Sequence, residues 1–260
     1  MLVRGYIDES YSDRVFTLSC LVGIGSNWMW FSSDWRKCVQ RINKCLRSQG
    51  RNKIRRYHAA DCSNCRNDFA GWSRDEQIAF TSDLITVFQK HPVDTTAYSV
   101  DLHEFAEVFP DIQTRKEKLE SLYGLLTKFL LLEMGDRYCQ RPETRMSLVH
   151  DRCPFDGVLA SAFNQMKSDP GFRHKQSFTT LTSASWESCT PLQPADLVAY
   201  ENMKETERRI AGRQRRKSLE LLLDLGSFGG RGRRIEREGL VVLKNITLVQ
   251  ISSCRLRAGG

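Results

Sequence analysis

Two segments far apart in the 260-residue chain carry the residue types that metal chemistry needs. Near the start, the apolar run Leu2 to Ile7 ends on Asp8-Glu9-Ser10, and far downstream Gln193-Pro194-Ala195-Asp196-Leu197 opens a helical stretch. A third acid, Asp151, closes the apolar run Met146-Ser147-Leu148-Val149-His150, and open α/β sheets place functional groups at such strand ends. Carboxylates delivered by strand ends and by the first turn of a helix are hard oxygen ligands, suited to Mg²⁺ or Mn²⁺. Two such ions held together activate a water and stabilise the leaving oxygen of a phosphodiester, so no nucleophilic side chain is required.

Asp8, on the first strand, is the expected bridging ligand, with Asp151 and Asp196 as its catalytic partners. Each acid also has a purely local role available. Asp-Glu-Ser begins many turns, Asp151 sits at a strand-to-helix turn, and Asp196 in a first helical turn is stabilised by the helix dipole. Glu9 adjoins Asp8 and is a weaker metal candidate, because successive strand side chains point to opposite faces; the same rule turns His150 away from Asp151. Gln193, three positions before Asp196, either caps the helix or orients that carboxylate. Glu187 and Asp101 are possible fourth ligands, and His58 is expected near the site, against substrate. His58-x3-Cys62-x2-Cys65 has the ligand types for zinc but lacks a second matching pair. Neither a Gly-rich phosphate loop nor a Gly-x-Ser-x-Gly elbow occurs.

Hydrophobic periodicity supplies the elements that must position these residues. Leu2 to Asp8 and Arg14 to Ile24 read as an antiparallel hairpin, and Trp28, Phe31, Trp35, Cys38, Ile42 and Cys45 recur at helical spacing. Ser73-Arg74-Asp75-Glu76 has the pattern of a capping box and predicts a helix through about Gln89. Strands are expected over Val93 to Val100, Arg145 to Asp151 and Phe178 to Ser185. Helices follow around Leu119 to Leu130 and Phe155 to Met166, then from Pro194, as first helical residue, toward Ile210. Gly239 to Ile251 is Val/Leu/Ile-rich and reads as β-like.

With residues 28–90 set aside as an α/β insertion after the second strand, the remaining order is strand, strand, strand, helix, strand, helix, strand, helix. That is the order of a ribonuclease H-like fold: a mixed five-stranded sheet flanked by helices, with the first and fourth strands parallel neighbours at its centre. Asp8, Asp151 and Asp196 should then converge on one edge of the sheet. The predicted organisation is a domain over 1–211 and a basic C-terminal extension over 212–260, packed on or near it.

Composition sets the outer bounds. At 40% hydrophobic and 27% charged, the chain has enough apolar material for a full core. Nine cysteines at scattered spacings argue for reduced thiols rather than a disulfide framework. No apolar stretch is long enough to span a bilayer and the N-terminus reads directly into a strand, so a cytoplasmic protein with no membrane partner is expected. The formal charge of +8 is concentrated at the end: residues 1–200 hold 25 basic and 24 acidic side chains, residues 201–260 hold 14 and 7. Arg213, Arg215, Arg216, Arg231, Arg233 and Arg234 form clusters suited to a polyanion, since neutralised phosphates release counterions. A solvated surface with Glu201, Glu205, Glu207 and Glu220 as partial partners is the other reading.

Taken together, Tyr6-Ile7-Asp8-Glu9-Ser10, Tyr57-His58-Ala59-Ala60-Asp61, Phe69-Ala70-Gly71-Trp72 and Leu192-Gln193-Pro194-Ala195-Asp196-Leu197-Val198-Ala199-Tyr200 resemble the domain-of-unknown-function family 3800 of bacteria and phages. The similarity spans roughly residues 3–205. It implies a ribonuclease H-like fold with Asp8, Asp151 and Asp196 as the matching acids, and brings no established substrate. Tyr11 departs from the glycine that usually follows Asp-Glu-Ser there, and should stiffen that turn. The expected function is a divalent-metal-dependent nuclease acting on DNA or RNA. Its rivals are a non-catalytic nucleic-acid or protein-binding module on the same fold, and hydrolysis or transfer on a smaller phosphate substrate.

Overall fold

The computed structural model describes residues 1–91, 93–224 and 231–244. Strands β1 (Leu2–Tyr11) and β2 (Val15–Ile24) form the expected antiparallel hairpin, with Asp8 opposite Ser19, and β3 (Asp94–Asp101) pairs antiparallel with β2. On the other side of β1, β4 (Arg145–Asp151) runs parallel with Ile7 opposite His150, and β5 (Phe178–Ala184) runs parallel to β4. A sixth strand, β6 (Arg231–Ile235), pairs in parallel with the outer edge of β3. The sheet order is therefore β5-β4-β1-β2-β3-β6, six strands rather than the expected five. The extra strand covers backbone groups that β3 would otherwise leave as an open edge. Its sequence, Arg-Gly-Arg-Arg-Ile, shows no apolar alternation, so nothing in the pattern announces it.

Three helices join β2 to β3: α1 (Gly25–Ser48), α2 (Ala59–Ser63) and α3 (Arg74–Lys90), with a single 3₁₀ turn at Asn67–Phe69. The insertion is thus helical rather than α/β. Residues 51–57 run without strand pairing because side chains take up their backbone groups. The Asn43 amide bonds both N–H and C=O of Ile54 (2.8 and 2.9 Å), and the Gln193 amide oxygen accepts Tyr57 N–H at 3.0 Å. The Ser73 capping box opens α3 as the spacing predicts. Helices α4 (Leu102–Val108), α5 (Arg115–Tyr138) and α6 (Asp156–Ser168) follow, then α7 (Leu192–Ile210) and α8 (Lys217–Leu223). Pro194 is the third residue of α7, not the first; its missing N–H is equally harmless there, within the first turn. Residues 237–244 are helical rather than strand-like, with Leu240 and Leu243 three positions apart against the core; 245–251 lie outside the described residues.

Alternation along the central strands sends neighbouring side chains into two cores. Tyr6, Val15 and Leu21 pack with α1, α3, α7 and α8 on one face, whereas Ile7, Phe16, Leu18 and Cys20 pack with α4, α5 and α6 on the other. That division fixes which face receives each candidate acid. No helix among the described residues is long and apolar enough to cross a membrane, and their cysteines are all free.

Candidate functional site

Pairing between β1 and β4 ends at Ile7 and His150, which leaves the next residues, Asp8 and Asp151, side by side at the end of the ladder. Both follow residues of the α7 face by two positions, Tyr6 and Val149, so both carboxylates emerge on that face. The first turns of α7 bring Asp196 to the same place. All three line one cavity of about 290 Å³, together with Glu9, Arg56, His58, Trp186 and Gln193. Asp8 lies within β1 rather than at its end, because the hairpin continues three residues further, to Tyr11.

Each aspartate is held by a backbone donor. Asp8 Oδ1 accepts Glu9 N–H at 2.8 Å, Asp151 Oδ1 accepts Arg152 N–H at 2.9 Å, and Asp196 Oδ2 accepts Ala59 N–H at 2.7 Å. Those bonds do not offset the loss of water. Asp8 is 8% exposed, and burial, followed by repulsion from Glu9, Asp196 and Asp151, pushes its carboxyl well above the usual aspartate range. Burial also raises Asp151 and Asp196, opposed by Arg152 N–H and Arg56 at the former and by His58, Ala59 N–H and Arg56 at the latter. A cavity of mutually repelling carboxylates is the environment that a hard cation relieves.

The fit to a divalent ion is that of an open site. Among the described residues, the side chains whose potential ligand atoms gather within 4.8 Å are His150, Cys153 and Asp156, not the three aspartates. The three aspartates, whose ligand atoms do not gather within that distance, therefore form no closed cage for one ion. His150, Cys153 and Asp156 lie on the opposite face and are internally satisfied. Asp156 accepts Cys153 N–H at 2.9 Å and the Ser183 hydroxyl at 2.8 Å, and burial pushes the Cys153 thiol up to about 12. These bonds fasten the start of α6.

The other expected residues take varied places. Glu9 lies between Tyr123 and Cys153 on one side and Asp8 on the other, lines the same cavity, and has its carboxyl raised by burial. Gln193 does not reach Asp196; its Oε1 accepts Trp35 Nε1–H at 3.1 Å and Tyr57 N–H at 3.0 Å, which seats the segment whose next donor, Ala59 N–H, holds Asp196. His58 lines the cavity with Nδ1 2.8 Å from Asp61 Oδ2. Glu187 is exposed outside the cavity and raises Asp151 only through space. Asp101 is committed elsewhere: it caps α4 through His103 N–H and pairs with Arg14 at 2.8 Å. Cys62 is buried against Thr81, and no zinc cluster forms with His58 and Cys65.

The basic residues divide similarly. Arg213 is exposed, Arg215 pairs with Glu205 at 3.1 Å and Arg216 with Glu201 at 3.1 Å. Arg233 lies 3.8 Å from Glu133, and Arg234 is enclosed by Glu104, Asp101 and Glu236, so its charge is used inside the protein. The side chain of Arg231 lies outside the described residues.

Two cavity residues were not singled out by the sequence. The Arg56 guanidinium stacks over the Trp186 ring at 4.5 Å and faces Asp151 and Asp196. The basic run Arg51 to Arg56 just before Tyr57-His58 was the available signal for the first; an isolated tryptophan in a Ser-rich loop gave none for the second. Compared with family models and with curated proteins, the chain matches none.

Proposed function

We propose that the chain is a divalent-metal-dependent nuclease with a ribonuclease H-like core, similar to domain-of-unknown-function family 3800. The observation that carries this reading is the shared cavity of Asp8, Asp151 and Asp196, whose carboxyls are all raised by burial. The central order β5-β4-β1-β2-β3, with β1 and β4 parallel, supports the fold assignment.

Mg²⁺ or Mn²⁺ held by the three aspartates would supply an activated water and stabilise the leaving oxygen of the phosphodiester. The chain's own groups prepare that chemistry. Backbone donors fix one oxygen of each aspartate. Arg56, held flat by Trp186, presents a planar cation suited to phosphate oxygens beside the carboxylates. Cleavage of single-stranded, duplex and hybrid oligonucleotides with Mg²⁺ or Mn²⁺ is the test. Wild type should cut at least one, and Asp8→Asn should lower turnover by a factor of a hundred or more. Equal cleavage by that variant would remove the aspartate cavity from the chemistry, and binding without cleavage by wild type would replace the enzyme with a binding module.

A further inference from the structure

A second cavity of about 340 Å³ lies across Tyr57 and α2 from the aspartates, and its charge is of the opposite sign. Five cations line it, Arg74, Arg208, Arg215, Arg216 and Lys217, against a single lining carboxylate, Glu201. That carboxylate is only 2% exposed and already engaged, by Arg216 Nε at 3.1 Å and by the Ser218 hydroxyl at 2.7 Å. Arg215 is occupied by Glu205 at 3.1 Å. Arg74, Arg208 and Lys217 have no ion pair among the described residues: Arg74 bonds the Gln77 amide and Arg208 the Gln214 carbonyl, both neutral. Four helices, α2, α3, α7 and α8, and the loop after α7 thus converge on a pocket that holds uncompensated positive charge.

The lining adds chemistry beyond charge. Thr81, Ser82 and Ser63 supply hydroxyl donors of the kind that complete an anion site. Ile78, Leu221 and the ring of Tyr200, over which Arg216 stacks at 5.4 Å, give the same cavity an apolar side. Its volume lies at the lower end of the range of small-ligand sites. Helix α7 also sets the separation from the first cavity. At 1.5 Å per residue, Tyr200 lies ~6 Å and Arg208 ~18 Å along the axis from Asp196.

We propose that this second cavity binds a phosphate monoester carried on an aromatic or apolar group, the chemistry shared by a free nucleotide and by the phosphorylated end of a nucleic-acid strand. The proposal does not depend on catalysis at the aspartates.

The test is calorimetric titration of the full chain at low salt in EDTA, where the aspartate cavity repels anions. The probes are adenosine 5′-monophosphate, adenosine, and a short thymidine oligonucleotide with either a 5′-phosphate or a 5′-hydroxyl. The monophosphate should bind at least tenfold more tightly than adenosine. Lys217→Ala and Arg74→Ala, both exposed positions, should each weaken it about tenfold, and Lys217→Arg should restore it. If the phosphorylated oligonucleotide outcompetes the monophosphate, and its advantage over the hydroxyl form vanishes in Lys217→Ala, the ligand is a strand end; the converse ranking identifies a free nucleotide. Equal affinity for adenosine and its monophosphate, or undiminished binding by a Lys217→Ala/Arg74→Ala double variant that melts like wild type, would overturn the assignment.

Discussion

Neutralising Asp8 should stabilise the metal-free protein and abolish the stabilisation conferred by divalent cations. Its carboxylate is buried, repelled by Glu9, Asp196 and Asp151, and partnered by the Glu9 N–H. Asparagine keeps the shape and the acceptor but removes the charge. Replacing a buried ion pair by neutral groups of similar volume is often neutral or stabilising by about 1–4 kcal/mol; for one repelled carboxylate replaced by an amide that must still be satisfied, the gain belongs at the lower end, about 1–2 kcal/mol. For a chain of this length each kcal/mol moves the melting temperature by about 2–4 °C, so Asp8→Asn should melt about 2–8 °C above wild type in EDTA. Wild type at a metal concentration a hundred times Kd gains about 2.7 kcal/mol, or about 5–11 °C, which the variant forfeits. The order of the two melting temperatures should therefore invert between EDTA and saturating Mn²⁺. Scanning calorimetry measures both.

The pH dependence follows from the same shift. Because Asp8 is raised in the folded state, the folded protein keeps a proton that the unfolded chain has already released, so metal-free stability falls as pH climbs from the ordinary aspartate range through the raised value. Asp8→Asn should flatten that decline. A variant that melts below wild type in EDTA, or that gains as much from Mn²⁺, would refute the account of the cavity.

Three other perturbations probe separate links. Gln193→Ala strips the acceptor from Trp35 Nε1–H and Tyr57 N–H; at about 1–3 kcal/mol per stranded donor it should cost about 2–6 kcal/mol, seen as a lower urea midpoint with unchanged slope. Arg56→Lys keeps the charge but loses the flat stacking on Trp186, and should lower nuclease turnover about tenfold while leaving the melting temperature within a degree or two; unaltered turnover would remove Arg56 from substrate contact. Gly5→Ala in central β1 places a methyl 2.7 Å from Leu148 Cδ2 and 2.9 Å from Cys20 Sγ, and the overpacking should cost about 1–3 kcal/mol by denaturant titration.

Much of this architecture is written locally. The hairpin from Leu2, the Ser73 capping box and the strand Arg145–Asp151 follow from alternation and capping chemistry, which act over a few residues. The face of each strand residue was equally legible: period two sends Tyr6 and Val149 to one core and Ile7 and Leu148 to the other, although Glu9 still lines the cavity beside Asp8. What escaped depends on contacts distant in sequence. β6 is a strand because β3 offers it an edge, and Gly232 suits the place because a Cβ there would meet Asn202 Oδ1. Asp101 has the residue type of a ligand, but the Arg14 guanidinium and the His103 N–H claim it first.

The same logic explains why the insertion belongs to the site. Asp196 needs a donor from outside its own helix, and that donor, Ala59 N–H, is 137 positions away in sequence. Gln193, one turn earlier on α7, fixes Tyr57 and so determines where Ala59 stands. A single helix end therefore both contributes an acid and seats the loop that restrains it. The cavity so assembled is negative, whereas the one farther along α7 is positive. Were the two proposals correct, a phosphate-bearing ligand would be drawn to the second cavity and repelled from the first until a cation screens Asp8, Asp151 and Asp196. On the proposed reading, divalent-metal dependence is then an electrostatic condition for substrate entry as well as for bond cleavage, and it should appear in substrate binding as well as in turnover.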